Sequence, residues 1–106
     1  CLFVYPVDAW QRIAAGLQAV PFTDQKARTF GRFFFGGAEV VSTDRQGRFL
    51  VPPMLRKYAG LEKDTVVVGV SDRVEVWSKQ RWEQFCLNAA SEYEEAAEHL
   101  FRGKDQ

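Results

Sequence analysis

The 106-residue sequence predicts an α+β fold, with short strands and amphipathic helices in one chain, and three observations carry that reading. Brief apolar runs bounded by Pro, Gly or Asp recur, as in Leu2-Phe3-Val4-Tyr5 before Pro6 and Val66-Val67-Val68 before Gly69, which suits strands. Between such runs, apolar residues return every three or four positions, the period of a helix face. A strand-to-helix junction also occurs twice: Val4-Tyr5 followed by Trp10, and Val76-Trp77 followed by Trp82, which lies 72 positions after Trp10. Ile13 and Phe85 align at the same offset.

Taken in order, Leu2 to Tyr5 reads as a strand stopped by Pro6, and Trp10, Ile13, Ala14 and Leu17 form the apolar face of a helix. Pro21 ends that helix, Thr23 is the expected N-cap of the next, and Ala27, Phe30, Phe33 and Phe34 are its face up to Gly36-Gly37. Ala38 to Thr43 is expected as a strand, followed by a turn over Asp44 to Gly47 and a short strand over Arg48 to Val51. Pro52-Pro53 suits the start of a two-turn helix closed by Gly60. Val66 to Val70 and Arg73 to Trp77 then form a hairpin turning at Ser71-Asp72, with Gly69 marking a bulge or a close approach. Ser78 caps a long final helix whose core stripe is Trp82, Phe85, Cys86, Ala89, Ala90, Tyr93, Ala97 and Leu100. The tail from Gly103 should fray.

With 46% hydrophobic and 14% aromatic residues, the chain is expected to bury a core of its own as one compact domain. The apolar runs are far shorter than the roughly 20 residues that cross a bilayer, so no membrane partner is expected. The opening residues do not read as a basic leader with an apolar stretch, so secretion is not expected, and Cys1 and Cys86 make neither a disulfide framework nor a metal motif. A soluble, cytoplasmic protein follows as the expectation, without cofactor or metal. Three consecutive phenylalanines beside Gly36-Gly37 exceed what so small a domain buries, which points to self-association.

The turn at Asp44-Arg45-Gln46-Gly47-Arg48 is the most specific feature. Its glycine permits a positive φ, and it presents two guanidinium groups from a strand junction, an arrangement suited to an anionic partner. Net charge is zero, yet residues 42 to 61 hold Arg45, Arg48, Arg56 and Lys57 against Asp44, a local +3. Residues 79 to 98 hold Lys79 and Arg81 against Glu83, Glu92, Glu94, Glu95 and Glu98, a local −3. One region attracts phosphate and the other repels it.

The run from Asp44 to Arg56, with Asp-x-x-Gly-Arg, strand, Pro and helix in succession, resembles the signature of the AbrB/SpoVT superfamily of swapped-hairpin DNA-binding domains. Across the wider chain, Tyr5-Pro6 with Trp10, Pro21-Phe22 with Asp24, Ala27-Arg28, Phe34-Phe35-Gly36-Gly37-Ala38, Tyr58-Ala59-Gly60-Leu61 and Trp77 with Trp82 resemble the two-repeat MraZ family. The resemblance implies a swapped-hairpin β-barrel with flanking helices, built from two pseudo-repeats of which the first is incomplete. Residues 1–35 would be the C-terminal part of the first repeat with linking helices, 36–102 the second repeat, and 103–106 a frayed tail. The partner of Arg48 would fall 72 positions earlier, before residue 1, so a truncated first repeat is expected, and with it weaker DNA binding than that of an intact two-repeat protein.

The resemblance further implies a nucleoid-associated transcriptional regulator, usually a repressor, of the bacterial division and cell wall gene cluster. Such proteins assemble as ring-shaped homo-oligomers on tandem repeats of double-stranded DNA upstream of a promoter. Arg48 takes the place of the family's DNA-contacting arginine, and its guanidinium suits guanine O6 and N7, a pairing worth roughly 1–3 kcal/mol of discrimination. Arg45 is the expected second contact, Gln46 and Lys57 are further DNA-binding candidates, and Asp44 and Gly47 shape the turn. The rival reading is an antitoxin-like or structural protein-binding module of the same superfamily. An enzyme has little support: His99 stands alone near the end of the last helix, Ser71 and Ser78 lack a neighbouring histidine, and no phosphate-binding glycine loop is present.

Overall fold

Leu2–Val4 forms β1, and Pro6, whose fixed φ starts but cannot extend a ladder, hands the chain to α1 over Val7–Gln18. The computed structural model describes residues 1–21 and 23–104, the last three by backbone alone. Phe22, part of the Pro21-Phe22 element, and Asp105 and Gln106 of the expected frayed tail lie outside the described residues. α2 spans Gln25–Gly36, α3 Pro53–Ala59, β2 Thr65–Val70, β3 Arg73–Ser78 and α4 Lys79–Lys104. α4 thus continues two residues into the segment expected to fray. The fold is mixed α/β, and the described residues form a three-stranded antiparallel sheet in the order β1-β3-β2 and four helices.

β1 lies on β3 with Leu2 opposite Val76, Phe3 opposite Glu75 and Val4 opposite Val74. The 72-residue offset carries Phe3 onto Glu75 itself and exchanges the outer two pairs, so equivalent positions face each other about a local two-fold axis. Each strand then leads to a helix with a tryptophan in its first turns. Tyr5 meets Trp10 at 6.4 Å, and the equivalent Trp77 meets Trp82 at 5.4 Å. On one face of the sheet, the buried Glu75 accepts from Arg73 Nε at 2.9 Å and from Trp77 Nε1 at 3.0 Å, while Arg73 sits 4.5 Å over the Phe3 ring. Trp77 and Phe85 complete an aromatic cluster at the root of α4, 5.2 Å apart.

The hairpin of β2 and β3 turns at Ser71-Asp72, with Ser71 at a φ of +51°. Gly69 pairs in regular register with Val74, and a Cβ added there would meet nothing within 4 Å, so it is neither a bulge nor a close approach. Ser78 caps α4 as expected, accepting from the Arg81 amide at 3.1 Å, a contact worth about 1 kcal/mol. For α2 the cap is Asp24 rather than Thr23. Its Oδ1 accepts from the amides of Lys26 and Ala27, the second and third helical residues, where a cap side chain reaches. Phe34 stacks on Trp10 at 5.1 Å and Phe35 meets it edge-on at 5.7 Å, whereas Phe33, expected on the packed face, is 81% exposed.

Two expectations are overturned more broadly. Ala38 to Thr43 and Arg48 to Val51 are not strands, because a ladder needs a neighbour and neither arm is paired with one among the described residues. The chain also does not bury a compact core. Its radius of gyration is 16.8 Å, against about 13 Å for a compact domain of this length. Among the described residues the buried apolar side chains are Leu2, Ala9 and Ala59, while Phe85, Tyr93 and Leu100 of the supposed α4 core stripe are exposed. The helix leaves the sheet after its first turns, and many of its apolar side chains, Phe85, Leu87, Tyr93 and Leu100 included, are open to solvent.

The Glu75 cluster should carry more stability than a surface ion pair. Glu75→Ala leaves Arg73 and Trp77 without their acceptor in a partly buried site. We expect it to lower the urea midpoint measurably, whereas Asp8→Ala, which removes the exposed Asp8–Arg12 pair at 3.7 Å, should barely move it.

Candidate nucleic-acid interface

Asp44 organises the turn through both carboxylate oxygens. Oδ1 accepts from the amides of Gln46 at 2.9 Å and Arg48 at 2.8 Å, closing an Asx-type turn, and Oδ2 accepts from Arg48 Nε at 2.9 Å. The backbone closes with it: Gly47 N–H donates to the Asp44 carbonyl at 3.0 Å, and Asp44 N–H to the Arg48 carbonyl at 2.8 Å. Gly47 stands at a φ of +78°, where a side chain would be strained. One carboxylate therefore fixes both the path of the loop and the root of the Arg48 guanidinium.

Arg48 keeps 73% of its side chain in solvent while held at Nε, so its terminal nitrogens are carried outward on a constrained stem. Arg45 and Gln46 are exposed on the same loop. Lys57 lies apart from them on α3, with Arg56, and no hydrogen bond or ion pair joins it to the turn among the described residues. Among the described residues no backbone hydrogen bond beyond the Asp44–Arg48 one links the two arms, and they diverge around a cleft lined by Val41, Ser42, Thr43, Phe49 and Leu50. Val40 and Leu50 are each 90% exposed.

The bonds to Asp44 favour its charged form. Chiefly the Arg48 amide, with the Arg48 guanidinium and the Gln46 amide behind it, holds its carboxyl below the usual range, and together they outweigh the opposing effect of desolvation. Among the described residues no group of three or more His, Cys, Asp or Glu is placed to hold a metal ion, and no helix is long and apolar enough to cross a membrane.

One long-range contact escapes a reading of the sequence. Arg81, which stands there as one of two cations in an acidic segment, donates from Nη1 to the Tyr58 carbonyl at 3.1 Å. A Cβ on Gly60 would lie 2.8 Å from its Cζ. Gly60 is legible as a helix terminator, but no local pattern connects it to a residue 21 positions later.

The class defined by the fold and the turn is a small mixed α/β domain that carries a basic, carboxylate-braced turn between two open arms. Residues 34–103 match the family described as "MraZ protein, putative antitoxin-like". The transcriptional regulator MraZ of Heliobacterium modesticaldum is 53% identical over 100 residues, covering 94% of this chain and 70% of that protein. Those of Moorella thermoacetica and Acetivibrio thermocellus are 52% and 49% identical over the same shares. The chain belongs to the MraZ family.

Lowering of the Asp44 carboxyl makes a pH prediction. A carboxylate held below its unfolded value, about 3.9, stabilises the turn above that pH and ceases to as pH falls through the lowered folded value. Carbon-detected NMR should find the Asp44 midpoint below that of a free aspartate. Arg48→Ala should raise it only part of the way, since the amide at position 48 remains.

Proposed function

We propose that this chain is a sequence-specific DNA-binding transcriptional regulator, a repressor of the bacterial division and cell wall gene cluster, that reads DNA with the Asp44–Arg48 turn. The observation that carries the reading is the Nε-braced, outward-facing Arg48. A guanidinium whose stem is already ordered loses less entropy when its terminal nitrogens engage guanine O6 and N7. Arg45 and Gln46 flank it on the loop, and Lys57 supplies a phosphate contact from α3. The relatives' name, transcriptional regulator, supports the same conclusion.

In this reading the second repeat occupies residues 36–102 and residues 1–35 belong to the first. The arms at 38–43 and 48–51 become strands of a swapped-hairpin barrel once another set of arms fills the cleft between them. The exposed apolar residues of both arms support that completion, and those of α4 support assembly into a ring-shaped homo-oligomer on tandem DNA repeats, where each engaged subunit raises the effective concentration of the next. A cytoplasmic, nucleoid-associated protein follows.

Fluorescence anisotropy with duplexes bearing tandem repeats from the upstream region should show affinity that falls steeply with salt. Arg48→Ala should weaken binding about 5- to 150-fold, the equivalent of roughly 1–3 kcal/mol, and relax base preference. Full affinity in that variant would instead favour the protein-binding, antitoxin-like reading, which the family description also supports. Light scattering should give a mass of several chains, and a strictly monomeric mass would reject the assembly.

A further inference from the structure

α3 has seven residues, with Met54 and Tyr58 exposed and no side-chain cap at its start. A helix so short does not hold itself in water. Its C-terminal end, by contrast, is pinned. Ala59 is fully buried, Gly60 takes a left-handed φ of +66°, and the amides of Gly60 and Leu61 return to the carbonyls of Lys57 and Arg56 at 3.1 and 2.9 Å.

Onto this end is laid the guanidinium of Arg81, donating to the Tyr58 carbonyl and packed so closely on Gly60 that a Cβ would come within 2.8 to 3.0 Å of three of its atoms. Arg81 is itself anchored, because its amide donates to the buried Ser78 hydroxyl at the start of α4. Glycine at position 60 is thus required twice, by its φ and by the guanidinium. A cation here also complements the partial negative charge of the last carbonyls of α3.

We propose that Arg81 is a positioning residue: through Gly60 and the Tyr58 carbonyl it fixes α3 against the root of α4, and so sets where Arg56 and Lys57 stand relative to the Arg48 turn. Pro52-Pro53 restrict the joint between α3 and the arm that leads back to Arg48, since their φ angles are locked. The inference deepens the proposed DNA-binding function and rests on it. A clamped α3 meets phosphate with its ordering already complete, whereas a loose one must be ordered on binding.

Two variants of the full chain test this from opposite sides. Arg81→Met removes the guanidinium and decides the clamp. Gly60→Ala displaces it with no change of charge but also strains the left-handed φ, so it serves as the charge-neutral control for the salt slope. Amide exchange at Gly60 and Leu61 should quicken roughly tenfold in both, with amides of β2 and β3 unaffected. The log-log salt dependence of DNA affinity should become shallower by about 1 to 2 in both, from loss of the α3 phosphate contacts, and the double variant should go no further. Unchanged exchange would overturn the clamp. Faster exchange with an unchanged salt slope would overturn its role on DNA. If the unmodified chain shows no DNA affinity, the proposed function fails with that role, and the exchange rates still decide the clamp.

Discussion

Pairing of β1 with β3 ties residue 4 to residue 74 and so closes a loop of about seventy residues, at an entropic cost of roughly 4 kcal/mol. A three-residue strand is a small return for that cost, and the side chains around the crossing make up the difference. Arg73 is shared between the Glu75 carboxylate, at 2.8 Å, and the Phe3 ring, so one guanidinium bridges both strands. Its protonated form is stabilised mainly by the hydrogen bond to Glu75. Trp77 donates to the same carboxylate and also begins the aromatic cluster under α4. Strand order, helix α4 and the start of α1 all radiate from this junction.

The local two-fold about Phe3 and Glu75 explains why the sheet is organised but the core is thin. β1 and β3 meet antiparallel about that pair, and each leads into a helix rooted by an aromatic contact, Tyr5 with Trp10 and Trp77 with Trp82. Such a plan concentrates packing at the root of each helix and leaves distal faces uncovered. The open arms and the outer turns of α4 carry apolar residues that a chain of this shape has no means to bury. This surplus is the property that the proposed assembly would use.

At the turn, the same economy of groups recurs on a smaller scale. Asp44 satisfies two amides and one guanidinium with two oxygens, and Gly47 supplies the backbone sign that lets them converge. At the far end of the diproline, Arg81 and Gly60 repeat the pattern, with a cation in place of the anion and helix carbonyls in place of amides. A short helix and a loop, each unstable alone, are thereby ordered from their two ends.

Local chemistry was readable from the residues alone. Asp44, Gly47, the Ser71-Asp72 hairpin, the Ser78 cap and the Gly60 terminator each depend on positions a few residues apart, and the strand-to-helix junctions depend on a repeated pattern. Assignments that failed had a different origin. Thr23 and Asp24 are both good caps, and only the path of the backbone decides between them. Ala38 to Thr43 and Arg48 to Val51 have the composition of strands, but a strand exists by virtue of its neighbour. The α4 stripe has the spacing of a buried face, and spacing does not say what lies opposite. Tertiary structure alone placed Arg81 on Gly60, put Phe3 opposite Glu75 and left the arms open, because each of these depends on residues that distance in the chain keeps invisible to one another until the fold brings them together.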